Sequence, residues 1–545
     1  MTTALIWSGW AALLALTVAD FVLARTEPKA KEDYRIDRLP GLDDQANARF
    51  TQYSGHVRYS PKDNSSLFFW HIQAQQGVQV PRLVIWLNGG PGCSSLDGVL
   101  LENGPFRMTQ SGAIEINEYS WWRHANLLYV DQPVGTGFSL ADNTWARSEA
   151  QVAEQFIAFL DEWLMIFPEL KSHELYISGE SYAGVFIPFI ASAMLKRNHL
   201  GGSNQTVLNL RGLAIGNGWI DPLATYESYI PFSEMHQLIA TRSKASLAEK
   251  AALCTSTYNL NPTIKNDICE ALQNQVLADT MTGGRYCINI YDVRLRDEGP
   301  DDGCGQYKWP PGLLQMYKYL ETPEVTKALN VEKRDPWVEC SSDVRSKLSE
   351  DSPPSSELLP ELLENIPIIL YYGDVDWICN WIGAQTMIER LEWNGEIGMG
   401  SAVEQQWFIG DRAVGTYQSA RNLTYFKVYN GSHMLPFDKP AEALAIISQL
   451  MRISDTNILP PISIGKTNET ELGSTGQGGE NEAIPKIGYY ELLLIVGAVV
   501  ICLSCGFIMK TSRHKWKRLD LVRCCGWKRS GRDWYELSRT DEDEG

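Results

Sequence analysis

Residues 174–184 read ELYISGESYAG: five residues of strand character, then Gly179, Glu180, Ser181, Tyr182, Ala183 and Gly184, ahead of a run that can start a helix. A serine on a sharp strand-to-helix turn has its hydroxyl lifted above the sheet, and small neighbours are needed because the backbone turns tightly. The usual pattern for such a turn is G-x-S-x-G, and Ala183 stands here at the final Gly. The motif alone does not decide, since Gly-x-Ser-x-small turns also arise by chance in Gly-rich loops.

Short apolar runs bounded by turn residues recur on both sides of it, at 83–87, 127–130, 175–178, 210–215, 366–372 and 425–429, with helix-like stretches such as 152–167 between several of them. That alternation predicts an α/β sheet. Between about 220 and 345 the pattern becomes helix-like and holds Cys254, Cys269, Cys287 and Cys304, which predicts an inserted helical cap. Two further segments carry chemistry. GDVDWICN at 373–380 follows the strand IPIILYY, and NGSHM at 430–434 follows TYFKVY. Ser, Asp and His thus sit at the ends of successive strands in the chain order of an α/β-hydrolase fold. Asp374 and Asp376 both suit the acid, and spacing does not choose between them. A lone His is more often packed than catalytic, so the joint placement at three strand ends carries the reading. Ser181 is then the candidate nucleophile, His433 the base, and a buried Asp the group that orients the imidazole. The oxyanion needs two N–H donors: Tyr182, next after the serine, and Gly90 of NGGPG at 88–92, which follows the strand LVIWL.

The 545 residues are 44% apolar and 21% charged with a net charge of −18, a globular composition too acidic for an obvious nucleic-acid binder. Acid and base are segregated: 510–545 hold ten Lys and Arg against seven Asp and Glu, a net +3 that leaves −21 on the rest. Residues 4–24 are apolar and end in Val22, Leu23 and Ala24, which predicts a signal peptide at 1–24. Residues 487–509 are long and apolar enough to span a bilayer, and Lys510, Arg513, Lys515, Lys517 and Arg518 follow, so a type I span with a cytosolic tail at 510–545 is expected. A luminal domain at 25–454 and a flexible tether at 455–486 complete that layout. Sequons at Asn64, Asn204, Asn422, Asn430 and Asn468 all fall on the luminal side. Seven luminal cysteines, 93, 254, 269, 287, 304, 340 and 379, allow up to three disulfides and one free thiol, and spacing alone does not pair them. No metal or other cofactor is expected, because His433 has no His or Cys at ligand spacing on one helix.

WLNGGPGCSS at 86–95, ENGPF at 102–106, DQPVGTGFS at 131–139, GESYAG, GNGWIDP at 216–222, GDVDWICNW and NGSHMLPFDKP at 430–440 together resemble the serine carboxypeptidases. With the span and basic tail, the chain is similar to the membrane-bound, pheromone-processing branch of that family in fungi. The resemblance implies Ser181, Asp376 and His433 as the triad, with Asp376 chosen because it lies three residues before Cys379. It implies Gly90 and Tyr182 as the oxyanion hole, and Asn88, Gly89, Glu102 and Glu180 as binders of the substrate's terminal carboxylate. It further implies the pairs Cys93–Cys340, Cys254–Cys269 and Cys287–Cys304, with Cys379 unpaired. Peptides and propeptides with free, basic C-termini, produced by an upstream dibasic endoprotease in the trans-Golgi network, are the implied substrates.

A physical argument supports the two glutamates. Like charges facing a substrate carboxylate raise each other's pKa, and a protonated carboxyl then donates a hydrogen bond. Without the resemblance, a solvated acid at Glu180 and a capping acid at Glu102 read equally well. Broad degradative carboxypeptidase activity, an esterase and a catalytically inactive membrane receptor are the competing readings.

Overall fold

Among the described residues, ten strands form one mixed sheet in the order β1-β2-β4-β3-β5-β6-β7-β10-β9-β8. They are β1 (Gln52–Arg58), β2 (Ser66–Ile72), β3 (Arg82–Leu87), β4 (Asn126–Asp131), β5 (Glu174–Ser181), β6 (Leu210–Gly218), β7 (Ile368–Gly373), β8 (Gln405–Ile409), β9 (Arg412–Ala420) and β10 (Leu423–Val428). The computed structural model describes residues 29–453 except 61–63, 143, 202–205, 284, 299–308, 333–335 and 349–351. The expected signal peptide, tether, span and tail, with Asn204, Asn468 and Cys304, lie outside the described residues. Among the described residues, no helix is long and apolar enough to cross a membrane.

The six central strands β4, β3, β5, β6, β7 and β10 run parallel, and antiparallel pairs flank them on both sides. Both faces of the centre are covered, which is why its strands read as continuous apolar runs. In β3, Leu83, Ile85 and Leu87 join one core while Val84 and Trp86 join the other. The six runs seen in the sequence match these central strands. The outer four escaped because their inward positions include polar groups: in β1, Gln52, Ser54 and His56 are all buried. Such residues break the alternation that marks a half-buried strand.

The first core is closed by α2 (Glu149–Ile166) and α3 (Ala183–Leu200); α1 (Leu96–Leu100) packs into the second. Helix α2 starts where the Ser148 hydroxyl accepts from Gln151 N at 3.4 Å, an N-cap. Between β6 and β7 the chain forms α4 (Pro222–Met235), α5 (Lys244–Tyr258) and α6 (Asp267–Asp279), the last two joined by a Cys254–Cys269 disulfide. Their own core of Tyr229, Phe232, Leu272 and Val276 also takes in Val375 and Trp377 from the loop after β7. Trp377 stacks on Tyr229 with ring centres 4.3 Å apart and donates from Nε1 to Ser233 Oγ at 2.9 Å. The inserted helices therefore brace the loop that carries Asp376.

Candidate active site

Strand β5 ends at Ser181 with φ of 61°, a left-handed conformation that few non-glycine residues adopt and that stores strain at the turn. The turn is held by Trp219 N donating to Ser181 O at 2.9 Å. Ala183 is the first residue of α3 and fits there with its methyl buried. The close approach falls one residue later: a Cβ on Gly184 would lie 2.8 Å from Trp219 N. That is why Ala is tolerated where the usual pattern has Gly.

Asp376 and His433 come from the loops after β7 and β10, neighbouring parallel strands. Asp376 is fully buried and its Oδ2 lies 2.9 Å from His433 Nδ1. A carboxylate only accepts, so Nδ1 carries the hydrogen and Nε2 is left as the base. Asn217 Nδ2 donates to the same Oδ2 at 2.7 Å, and Ile378 N donates to Oδ1 at 3.2 Å. The other acid that spacing left open, Asp374, instead accepts from Asn430 N at 2.6 Å. His433 N donates to Tyr291 O at 2.9 Å, and the two rings lie 5.0 Å apart.

Ser181 and His433 both line a cavity of about 430 Å³. The loop 88–92 forms another wall, closed on itself by Cys93 N donating to Gly89 O at 3.1 Å. It packs hard on the serine turn: a Cβ on Gly89 would lie 2.4 Å from Tyr182 N and 2.8 Å from Ser181 Cβ. Gly90 has φ of 108°, open to glycine and strained for other residues. The Cys93–Cys340 disulfide ties this loop to the segment before Ser341. Cys379, a buried free thiol, also lines the cavity, and burial pushes its pKa well up.

Asn88 gathers the two glutamates. Its Nδ2 donates to Glu102 Oε1 at 2.9 Å and to Glu180 Oε1 at 3.2 Å, while its Oδ1 accepts from Trp86 Nε1 at 2.7 Å. Glu102 is fully buried and Glu180 is 4% exposed. Burial raises the Glu102 carboxyl, and it raises Glu180 further because the Glu102 charge adds to it. Two acids this enclosed hold a proton between them, which makes a carboxyl able to donate.

A serine turn, an Asp–His pair, and a loop of backbone amides around one cavity form equipment for acyl transfer. Residues 40–452 match the family model described as serine carboxypeptidase. The chain belongs to the serine carboxypeptidase family. This carboxypeptidase is 40% identical to the pheromone-processing carboxypeptidase kex1 of Neosartorya fischeri, over 87% of this chain and 76% of that one. It is 37% identical to the protein of the same name from Pyrenophora tritici-repentis, over 93% and 84%. The crystal structure of Kex1(delta)p, a prohormone-processing carboxypeptidase from Saccharomyces cerevisiae, matches with a TM-score of 0.72 and 34% identity, covering 78% of this chain and 96% of that one.

Sequence reasoning gave the carboxypeptidase's Asn217 and Tyr291 no role. Asn217 lies in the GNGWIDP block, which was the available signal; its φ of 40° and its paired bonds to Asp376 and Gly373 N are tertiary facts. Tyr291 had no motif around it. Of the cysteines, Cys287 is in a disulfide, and Cys304 lies outside the described residues. Asn64, Asn422 and Asn430 are exposed.

Proposed function

We propose that this serine carboxypeptidase releases C-terminal Lys and Arg from secretory-pathway propeptides, pheromone precursors among them, through an acyl-enzyme. The observation that carries an exopeptidase reading is the Asn88–Glu102–Glu180 group in contact with the loop and turn that hold Ser181. Asn88, Gly89 and the glutamates bind the terminal carboxylate. Ser181 Oγ attacks the last peptide carbonyl as His433 Nε2 takes its proton, and Asp376 stabilises the imidazolium. The oxyanion is received by the N–H groups of Gly90 and Tyr182. Collapse breaks the C–N bond, His433 protonates the leaving amine, and the free amino acid departs. Water then repeats the sequence on the Ser181 ester, which frees the shortened peptide.

Two observations support the finer reading. The relatives are named for pheromone and prohormone processing. The residues ahead of the tail carry −21, which favours cationic peptides. The layout is an α/β-hydrolase domain with an inserted cap, followed by a tether and a type I span at 487–509, with residence in the trans-Golgi network. An upstream dibasic endoprotease supplies the substrates, and Asn64, Asn204, Asn422, Asn430 and Asn468 carry glycans. The chemistry assigned to these residues uses no metal or other cofactor.

The test uses the full-length, detergent-solubilised enzyme at about pH 5.5, where carboxyls with raised pKa values stay protonated. Mass spectrometry follows one peptide ending in Lys-Arg, in Ala-Phe, or in Lys-Arg amide. Stepwise loss of Arg and then Lys, slow loss of Phe and an inert amide are expected. Equally rapid loss of Phe moves the enzyme to broad degradative turnover.

A further inference from the structure

Tyr182 follows the nucleophile and lines the cavity, yet most of its side chain is buried. Its hydroxyl donates to Glu149 Oε1 at 2.9 Å. Glu149 is fully buried and opens α2, directly after the Ser148 N-cap. The first turn of a helix this long favours a carboxylate, because the free N–H groups there carry partial positive charge. A phenol O–H given to a carboxylate is a stronger bond than one shared between neutral groups. Glu149 is itself anchored: its N donates to Ser352 Oγ at 3.3 Å. Three residues on, Ser355 Oγ lies within donating distance of Gly184 O at 2.8 Å and of Ile220 O at 3.2 Å. The segment 352–355 therefore links the start of α2 to the start of α3.

The serine turn needs such a brace. Ser181 is held at φ of 61°, and strain of that kind persists only where the surroundings fix it. Backbone contacts fix part of it, with Trp219 N donating to Ser181 O and Gly89 abutting Tyr182 N. Rotation of the Tyr182 backbone would swing its N–H off the oxyanion position, and it would also carry the ring away from Glu149. Packing of that ring on Phe186, with centres 5.0 Å apart, opposes the same rotation. We propose that Glu149 is a positioning residue for acyl transfer: its carboxylate anchors the Tyr182 hydroxyl and so aims the Tyr182 N–H at the oxyanion. The assignment rests on Tyr182 as an oxyanion donor. A donor aimed before the reaction stabilises the oxyanion most when it is not free to reorient. Glu149 touches no reacting atom, so its loss weakens binding of the transition state and spares binding of the substrate.

The experiment compares Glu149→Ala, Glu149→Gln and Tyr182→Phe with the parent, each as the full-length, detergent-solubilised enzyme. Steady-state kinetics on a free-carboxylate peptide give kcat and KM. Inhibition by a peptide aldehyde gives a second readout: Ser181 Oγ adds to the aldehyde carbon, its proton passes to His433, and the carbonyl oxygen becomes the oxyanion. Inhibition by the released amino acid, which occupies the carboxylate-binding group and has no part in the oxyanion hole, is the control. Glu149→Ala and Tyr182→Phe should each lower kcat about 10- to 100-fold, the range for one hydrogen bond to a charged group, with KM within about twofold of the parent. Aldehyde affinity should fall by a similar factor while the amino acid binds as before. Glu149→Gln keeps an oxygen acceptor and should recover most of the loss. Glu149→Ala combined with Tyr182→Phe should cost no more than either alone, because both remove the same bond. An unchanged kcat in Tyr182→Phe would overturn the assignment, whatever Glu149→Ala does to folding. Equal weakening of aldehyde and amino acid, with a lowered Tm, would reduce Glu149 to packing and overturn it as well. A parent that the aldehyde does not inhibit removes the oxyanion-hole reading itself, and this assignment with it.

Discussion

Raising pH should remove recognition of the terminal carboxylate before it removes the chemistry at Ser181. Asn88 Nδ2 contacts Glu102 and Glu180 at 2.9 and 3.2 Å, and both acids are buried and raised above the ordinary glutamate value of 4.5. The substrate carboxylate needs the proton that the pair holds. Once pH exceeds the pair's upper apparent pKa, KM for a free-carboxylate peptide should climb about tenfold per pH unit, or about 1.4 kcal/mol each. An ester substrate with a blocked C-terminus uses the same Ser181 and His433 but does not meet the pair. The ratio of the two kcat/KM values across pH 5 to about 9 therefore isolates recognition from catalysis. Glu180→Gln keeps an N–H donor at every pH and should flatten that ratio. Stability follows the same sign. The folded state holds protons that an unfolded chain releases above 4.5, so stability present at low pH is lost as pH rises through the raised values, and Glu180→Gln should blunt the loss. A constant ratio in the parent enzyme would refute the proton-sharing argument.

Three further outcomes are expected. Asn217→Gly suits the local φ of 40° but removes the 2.7 Å bond to Asp376; with about 1.5–3 kcal/mol at stake, kcat should fall roughly 10- to 100-fold with KM little changed, whereas Asn217→Ala adds backbone strain and should also lower Tm. An unaltered kcat in Asn217→Gly would remove Asn217 as a positioning residue. Gly89→Ala forces a methyl against Tyr182 N and Ser181 Cβ, so a loss of about 10²-fold in kcat is expected from a displaced oxyanion donor, on protein whose circular dichroism matches the parent. Replacing Cys93 and Cys340 by Ser opens a link across 247 residues; denaturant titration should show a loss of up to about 5 kcal/mol, and a much smaller value would mean that the bridge between the two segments holds without the bond.

The local features of this carboxypeptidase were written in its sequence because they depend on neighbours in the chain. A strand ending in a serine turn, apolar runs buried on both faces, and Ser, Asp and His at successive strand ends are all visible within a few residues. Strands β1, β2, β8 and β9 are not legible from local pattern, since an outer strand can bury Gln52 or His56 when a partner strand satisfies it. Spacing left Asp374 and Asp376 equivalent. Only the convergence of the loops after β7 and β10 puts Asp376 on His433 Nδ1 and Asp374 on a backbone N–H. Asn217 and the cap helices bracing Trp377 belong to the same class. Each depends on a distance between residues far apart in sequence, and such distances exist only once the sheet and the inserted helices have packed.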